Sequence, residues 1–379
     1  MNQLTEALHN ISGAQHQYEV FTGANTHTPY LADTRQKYQR KLFDTLDEVL
    51  SRCDLRDGMT VSFHHAFREG DQVINYVMAR LAEKGLRGLT LASSSLMTCN
   101  APLIEHIKHG VISKIYTSGM RGELADAISH GLMEEPVQIH SHGGRVNLIE
   151  KGEINIDVAF LAVSCCDEYG NASGSGGKSR CGSLGYAMVD AKYARKVVLL
   201  TESIEPFPYM PASIIQDQVD YIVKIDSVGD PAKISVGAAR VTSNPRELMI
   251  ARSTADVIEH SGYFRDGFSL QTGSGAASTA CTRFLESRMR KHNIVASFAL
   301  GGITGSIVDL HEKGLITKLL DTQSFDGAAG ESLAKNPHHV EISTSVYANP
   351  GAKAACCDRV DIVILSALEI DTDLDRKSV

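Results

Sequence analysis

Apolar positions recur along this chain with two periods. Leu42, Phe43, Leu46, Val49 and Leu50 lie on one stripe at helical spacing, which predicts a helix from about Asp33 to Cys53 with Asp33 as its N-cap. Asp57-Gly58 then turns the chain into "MTVSF", read as a strand, and a second helix is expected with Val73, Ile74, Val77, Met78 and Leu81 facing inward. "LTLAS" (89–93), "KIYTS" (114–118), "VQIHS" (137–141), "VAFLAVS" (158–164), "VVLLTE" (197–202) and "YIVKI" (221–225) read as further strands, mostly separated by helical segments. Near-continuously apolar strands alternating with helices predict an α/β fold whose mostly parallel sheets are covered on both faces.

The pattern also repeats. "EHIKHGVISKIYTSG" (105–119) parallels "DLHEKGLITKLLDTQ" (309–323), and "NIDVAFLAVSCCDEYG" (155–170) parallels "RVDIVILSALEIDTDL" (359–374). Both blocks align at one offset of 204 residues, matching Gly110 with Gly314, Asp157 with Asp361 and Asp167 with Asp371. Upstream, "LRDGMTVSFHHAFREGDQVINYVMARL" (55–81) parallels "FRDGFSLQTGSGAASTACTRFLESRM" (264–289). The expected organisation is a helical lead-in over 1–55, a first α/β domain over 56–228 and a similar second domain over 229–379. Past Asp167 the first copy continues through a glycine-rich loop, a helix and two strands. The second stops eight residues after Asp371, so a truncated second domain is expected.

Composition narrows the function. At 379 residues and 43% hydrophobic the chain can bury two cores, since single cores seldom grow beyond about 250 to 300 residues. A net charge of −8 argues against a nucleic-acid partner. The eight cysteines lack C-x-x-C spacing, and Cys165 and Cys166 read as inert buried thiols. No signal peptide or membrane span is evident, so a cytoplasmic protein without membrane association is expected.

Ligands of open α/β sheets bind beyond the carboxyl ends of the strands. The loops there are glycine-rich: "HHAFREG" (64–70), "ASSSLMTCN" (92–100), "HSHGGR" (140–145), "DEYGNASGSGGKSRCG" (167–182), "QTGSGAAS" (271–278) and "ALGGITGS" (299–306). Together they suggest a cleft lined largely by backbone. "QTGSGAAS" lacks the third glycine of the dinucleotide fingerprint, which disfavours NAD. For His64, His65 and Arg68, and for His140, His142 and Arg145, three readings stand open: metal ligation, burial on backbone hydrogen bonds, or recognition of an anionic substrate. The loop over 167–182 reads either as a site element or as a flexible surface loop.

"DEYGN" after an apolar strand, within a two-domain repeat, resembles the CoA-transferase fold. "SFHHAFREGD", "SGSGGKSRCG", "SLQTGSGAAS" and "FALGGITGSIVDLHEKGL" resemble the alpha subunits of bacterial citrate lyase, the citrate:acetyl-[acyl-carrier-protein] transferases, over nearly the whole chain to about Asp371. The resemblance implies transfer of a thioester-bound acyl carrier from acetate to citrate through a mixed anhydride. Related CoA-transferases use a glutamate where this chain has "FALGGITG", so no protein nucleophile is expected. Gly301 and Gly302 are then expected to admit the thioester and point N–H groups at the oxyanion, a side chain at Gly302 blocking transfer without disturbing stability. Substrate contacts are expected from His64, His65, Arg68, Gly143, Gly144, Asn171, Gly273, Ser274 and Gly275, with no metal and no bound cofactor. The implied substrate group is the CoA-like phosphopantetheine-type arm of the carrier (gamma) subunit, and the implied partners are citrate, acetate, that carrier and the citryl-carrier lyase (beta) subunit. The alternatives are a CoA-transferase or acyl-CoA hydrolase acting on free CoA thioesters, or a non-catalytic module for small anions.

Overall fold

The computed structural model describes residues 40–236, 242–367, 369–373 and 376–377. The expected N-cap Asp33 lies outside them. Leu42 and Phe43, expected on a helix, instead form strand β1, paired with Ile222 and Val223. Helix α1 begins only at Leu46 and runs to Arg52, because the Thr45 side chain caps it by accepting the Glu48 N–H at 3.3 Å. Phe43, Leu46, Val49 and Leu50 are buried in the first core, so this segment belongs to the first sheet rather than to a separate lead-in.

The first sheet is wholly parallel. Its strands are β1, β2 (Thr60–Phe63), β3 (Leu89–Ser93), β4 (Ile112–Thr117), β5 (Gln138–Ile139), β6 (Val158–Val163), β9 (Lys196–Thr201) and β11 (Tyr221–Lys224), in the spatial order β1-β11-β9-β6-β2-β3-β4-β5. Helix α2 (Val73–Glu83) buries Val73, Ile74, Val77, Met78 and Leu81, the predicted face. Shorter helices follow: α3 (Leu103–Lys108), α4 (Gly122–Ser129), α5 (His142–Glu150) and α6 (Gly185–Tyr193). The glycine-rich stretch over 167–182 is mostly buried. It contributes to a small sheet of β7 (Cys165–Asp167), β8 (Ala172–Ser173) and β10 (Ile204–Glu205).

Helix α7 (Pro231–Val236) leads to the second half, where α8 (Pro245–His260) packs on α9 (Ala276–His292). The second sheet is again parallel, ordered β15 (His339–Glu341), β14 (Ile316–Ser324), β13 (Ala296–Ile303), β12 (Ser269–Thr272) and β16 (Ile362–Ile364). Its helices are α10 (Gly305–Glu312), α11 (Gly327–Lys335) and α12 (Thr344–Ala348). A two-stranded ribbon, β17 (Glu369–Ile370) with β18 (Arg376–Lys377), follows. No helix among the described residues is long and apolar enough to cross a membrane.

The predicted repeat is visible in the topology. The order β6-β2-β3-β4-β5 recurs as β16-β12-β13-β14-β15. Gly110 and Gly314 occupy equivalent turns before β4 and β14, with φ of 68° and 74°. Asp157 accepts the Thr60 N–H at 2.9 Å, and Asp361 accepts the Ser269 N–H at 2.9 Å, tying the same two strand starts in each copy.

Candidate active site

The expected basic loop serves the seam between the halves. Arg68 is 1% exposed and sits at φ 57°, a left-handed conformation costly for a non-glycine residue. Its Nε donates to Ser324 O at 2.9 Å, Nη1 to Ile234 O at 2.8 Å, and Nη2 to Cys181 O at 2.7 Å and to Ser324 O. Three segments distant in sequence are thereby joined, and burial pulls the guanidinium below its ordinary pKa. The expectation that Arg68 holds a citrate carboxylate is therefore corrected: its donors face carbonyls. Arg145 is also fully buried, in a bidentate pair with Asp190 at 2.8 Å per bond, and it donates to Ala92 O at 3.0 Å.

His64 is likewise structural. Nε2 bonds Ala162 O at 2.8 Å and Nδ1 accepts the Ala66 N–H at 3.3 Å, while burial drives the imidazole down to about 4, so it is neutral at pH 7. Asn171 locks its own loop. Its Nδ2 donates to Asp167 Oδ2 at 2.7 Å and Gln216 Oε1 at 3.0 Å, and its Oδ1 accepts the Gln216 N–H at 3.1 Å. Neither residue offers a substrate contact in this arrangement.

The glycines of the first half permit close approach. A Cβ on Gly143 would lie 1.7 Å from Ala348 O, one on Gly182 2.0 Å from Ser324 Oγ, and one on Gly185 2.5 Å from Ile342 O. Only a bare backbone lets α5, α6 and the preceding loop reach the second half. Gly144 donates to the capping Ser141 Oγ at 3.0 Å. Across the seam Ser183 Oγ donates to Asp321 O at 3.0 Å. Glu341 accepts the Leu184 N–H at 2.5 Å and Ser213 Oγ–H at 2.7 Å, and burial raises its pKa. Asp321 Oδ2 receives Ser324 Oγ–H at 2.6 Å and His339 Nε2 at 3.1 Å.

What remains at the seam is a cluster of neutral donors around Gly301. Gly301 lies inside β13, not at the strand–helix junction expected, because the strand continues to Ile303 before Thr304 caps α10. It has φ 95° and pairs with Asp321 beside a bulge that leaves Thr322 as an extra residue on β14. A Cβ at Gly301 would lie 3.0 Å from Gln271 Nε2 and 3.2 Å from Tyr347 Cε2. Gln271 Nε2 donates to Tyr347 Oη at 2.7 Å, and burial raises that phenol's pKa. Gly302 differs from expectation: a Cβ there would stand 2.0 Å from the Phe325 ring, so this glycine is covered by protein.

From the first half, His65, His142 and Tyr186 pack together, with ring centroids 4.8 Å (His65–Tyr186, tilted), 5.2 Å (His142–Tyr186, edge-on) and 6.0 Å (His65–His142, stacked) apart. His65 Nδ1 bonds Ser94 Oγ at 2.6 Å, and its carbonyl accepts Gln323 Nε2–H at 3.3 Å across the seam. His142 is driven down to about 4 by burial and by Arg145, and its Nδ1 is enclosed without a partner. Helix α12 packs on both α5 and α6, which brings Tyr347 to these rings. Gly273, Ser274 and Gly275 form the half-buried loop between β12 and α9, where Gly273 N donates to Ile364 O at 2.9 Å. Among the described residues no three His, Cys, Asp or Glu side chains are placed to hold a metal ion.

Of the expected residues, His65, Gly301 and the 273–275 loop fall at or beside this cluster. Gln271, Tyr347, Tyr186 and Gln323 were not anticipated. Gln271 carried a signal, standing at a strand end next to Gly273 and Gly275. Tyr347 carried none, since "STSVYANPG" has no periodicity.

This arrangement of two repeated parallel sheets agrees with known proteins. The family described as "Citrate lyase, alpha subunit (CitF)" matches residues 39–378. The chain belongs to the citrate lyase alpha subunit family. It is 65% identical to the citrate lyase alpha chain of Klebsiella pneumoniae, over 94% of this chain and 70% of that one. Identity to the Escherichia coli K12 citrate lyase alpha chain is 63%, over 90% and 68%. A crystal structure of a citrate lyase alpha subunit from Streptococcus mutans in complex with citrate superposes with a TM-score of 0.88 at 49% identity, covering 90% of this chain and 67% of that one. The malonate decarboxylase alpha subunit of Acinetobacter baumannii, at 16% identity and TM-score 0.65 over 92% of this chain and 64% of that one, shares the fold.

Proposed function

We propose that this family member exchanges the acyl group on a carrier thioester, converting acetyl-carrier and citrate into citryl-carrier and acetate. A citrate carboxylate oxygen adds to the acetyl carbon and the carrier thiolate leaves, giving a mixed anhydride. The thiolate then adds to the citryl carbonyl, and acetate departs with the bridging oxygen. The phosphopantetheine-type arm of an acyl carrier protein is the substrate group, and a lyase subunit that cleaves the citryl product is the expected partner, in the cytoplasm. The observation that carries the reading is Gly301: inside β13, beside the bulge and under the Gln271–Tyr347 pair, it presents bare backbone and no nucleophile. The neutral Gln271 amide and Tyr347 phenol beside it suit a carbonyl rather than a permanent charge. The citrate in the Streptococcus mutans structure supports the choice of acid.

Incubation with acetylated carrier and carboxyl-18O citrate tests this. Citryl-carrier and acetate bearing one 18O are expected. Acetylated carrier left unchanged overturns the reading, and turnover of free acetyl-CoA alone would favour a CoA-thioester enzyme instead.

A further inference from the structure

We propose that the outer edge of β16 and the sheet face beside it form a docking surface for a helix–strand unit, the second-copy counterpart of α6 and β9. The unit is carried by the stretch of a citrate lyase alpha chain that lies beyond its match to this chain. The duplicated fold says what covers the surface, because the first copy shows the same place filled.

Three observations carry it. The first is the edge. In the first copy β6 lies between β2 and β9, and β9 pairs with it from Val158 opposite Lys196 to Val163 opposite Thr201. In the second copy β16 pairs with β12 alone and stands last in its sheet among the described residues. The Ile364 carbonyl faces β12, accepting the Gly273 N–H at 2.9 Å, so the alternate residues Val363 and Leu365 turn their backbone groups to the open side. No lysine or proline blunts this edge, which reads Ile-Val-Ile-Leu over 362–365. An apolar edge of that kind is a template for another strand.

The second is the face. The 204-residue offset sets Val363 and Leu365 against Ala159 and Leu161. Ala159 and Leu161 are fully buried, and α6, which leads into β9, packs on their strand. Val363 and Leu365 are 52% and 48% exposed, while Ile362 and Ile364 on the opposite face fill the second core. Two large apolar side chains thus stand open where the first copy places a helix. The third is the helix that precedes each unit. Arg80 pairs with Asp47 between α2 and α1, and Arg288 pairs with Asp256 between α9 and α8, so α1 and α8 hold one place in the two copies. β11, the strand beyond β9, packs on α1. α8 instead exposes Met249, Ile250 and Val257 along one groove.

Chain order and length name the occupant. In the first copy α6 and β9 come after β6, so their counterparts come after β16. The Klebsiella pneumoniae alpha chain is longer than its matched part, which is 70% of it. β9 sets the chemistry of the strand: Val197 to Thr201 are buried and unbroken by charge or proline. The docked strand runs parallel to β16 with its first residue opposite Ile362, the register that Lys196 takes opposite Val158. A second copy of this chain offers no such unit, since its own α6 and β9 are already engaged in the first sheet.

The test co-expresses the 379-residue chain with a tagged polypeptide, the part of the Klebsiella pneumoniae alpha chain on the carboxyl side of its match. A one-to-one complex is expected, with amide exchange at Val363 and Leu365 slowed about tenfold or more on binding. Val363→Lys combined with Leu365→Lys should weaken the complex roughly tenfold or more, because two charges would be buried in it. The uncomplexed double variant should keep the urea midpoint of the parent chain, since both side chains are exposed there. Failure of the two polypeptides to co-purify overturns the inference. A complex that leaves both amides exchanging freely, or that the double variant forms as tightly, overturns it too, because the contact then lies elsewhere. Protection of the same amides by self-association of the chain assigns the surface to a second copy and overturns the occupant proposed.

Discussion

The loops that follow β2 and β12 occupy the same place in two copies of one unit, yet they do opposite work. After β2 stand His64, His65 and Arg68, and the imidazole and guanidinium of His64 and Arg68 are buried and bonded to backbone carbonyls. After β12 stand Gly273, Ser274 and Gly275, half-buried, with Gln271 just inside the strand reaching Tyr347 over Gly301. The first loop fastens the halves through Arg68 and lends only His65 to the candidate site, whereas the second borders it. A buried guanidinium with carbonyl partners is a cohesive element, because desolvating it is tolerable only when every donor is matched.

The largest test of this contrast is Arg68→Ala. It leaves the carbonyls of Ser324, Ile234 and Cys181 without their donor and should cost about 3 to 5 kcal/mol in urea unfolding. Near-native stability with weakened citrate binding would return Arg68 to the site. Gly302→Val comes next. Its side chain meets the Phe325 ring, so a loss of about 1 to 3 kcal/mol in the unfolding free energy is expected, not the neutrality that the sequence suggests.

Acid should act through the first loop. Burial holds His64 at about 4 against an ordinary 6.5, so between those values the unfolded chain binds a proton that the folded chain refuses. Stability is therefore lost as pH falls from 6.5 towards 4, by at most about 1.4 kcal/mol per pH unit for one such group. His64→Gln should flatten the dependence of the urea midpoint on pH, whereas Gly273 at the matching place titrates nothing. The smallest effect concerns what the copies share. Gly110→Ala and Gly314→Ala should each cost about 0.5 to 1 kcal/mol, since both glycines are left-handed with open space around them. Unequal costs would show that the two turns are not equivalent.

Much of the framework was legible. The helix burying Val73, Ile74, Val77, Met78 and Leu81 and the apolar strands β3, β6 and β9 follow from periodicity, and the repeated strand order follows from the 204-residue offset. The start of α1 was misplaced because Leu42 and Phe43 satisfy a helical stripe and a buried strand edge equally well, and pairing with Ile222 and Val223 selected the strand. The loop over 167–182 gave no hint of burial, since glycine density signals flexibility and close packing alike.

Family membership, the α/β class and the duplicated unit were thus contained in the sequence, because local periodicity and internal likeness need no knowledge of distant contacts. Which residues face the seam was decided only in three dimensions. Tyr347 reaches Gln271 across 76 residues, and Arg68 reaches Ser324 across 256. Residue type marked Arg68 as the binder and left Tyr347 unnoticed. Folding matched the Arg68 donors to carbonyls of the chain itself and set Tyr347 against Gln271, contacts that residue type alone does not announce.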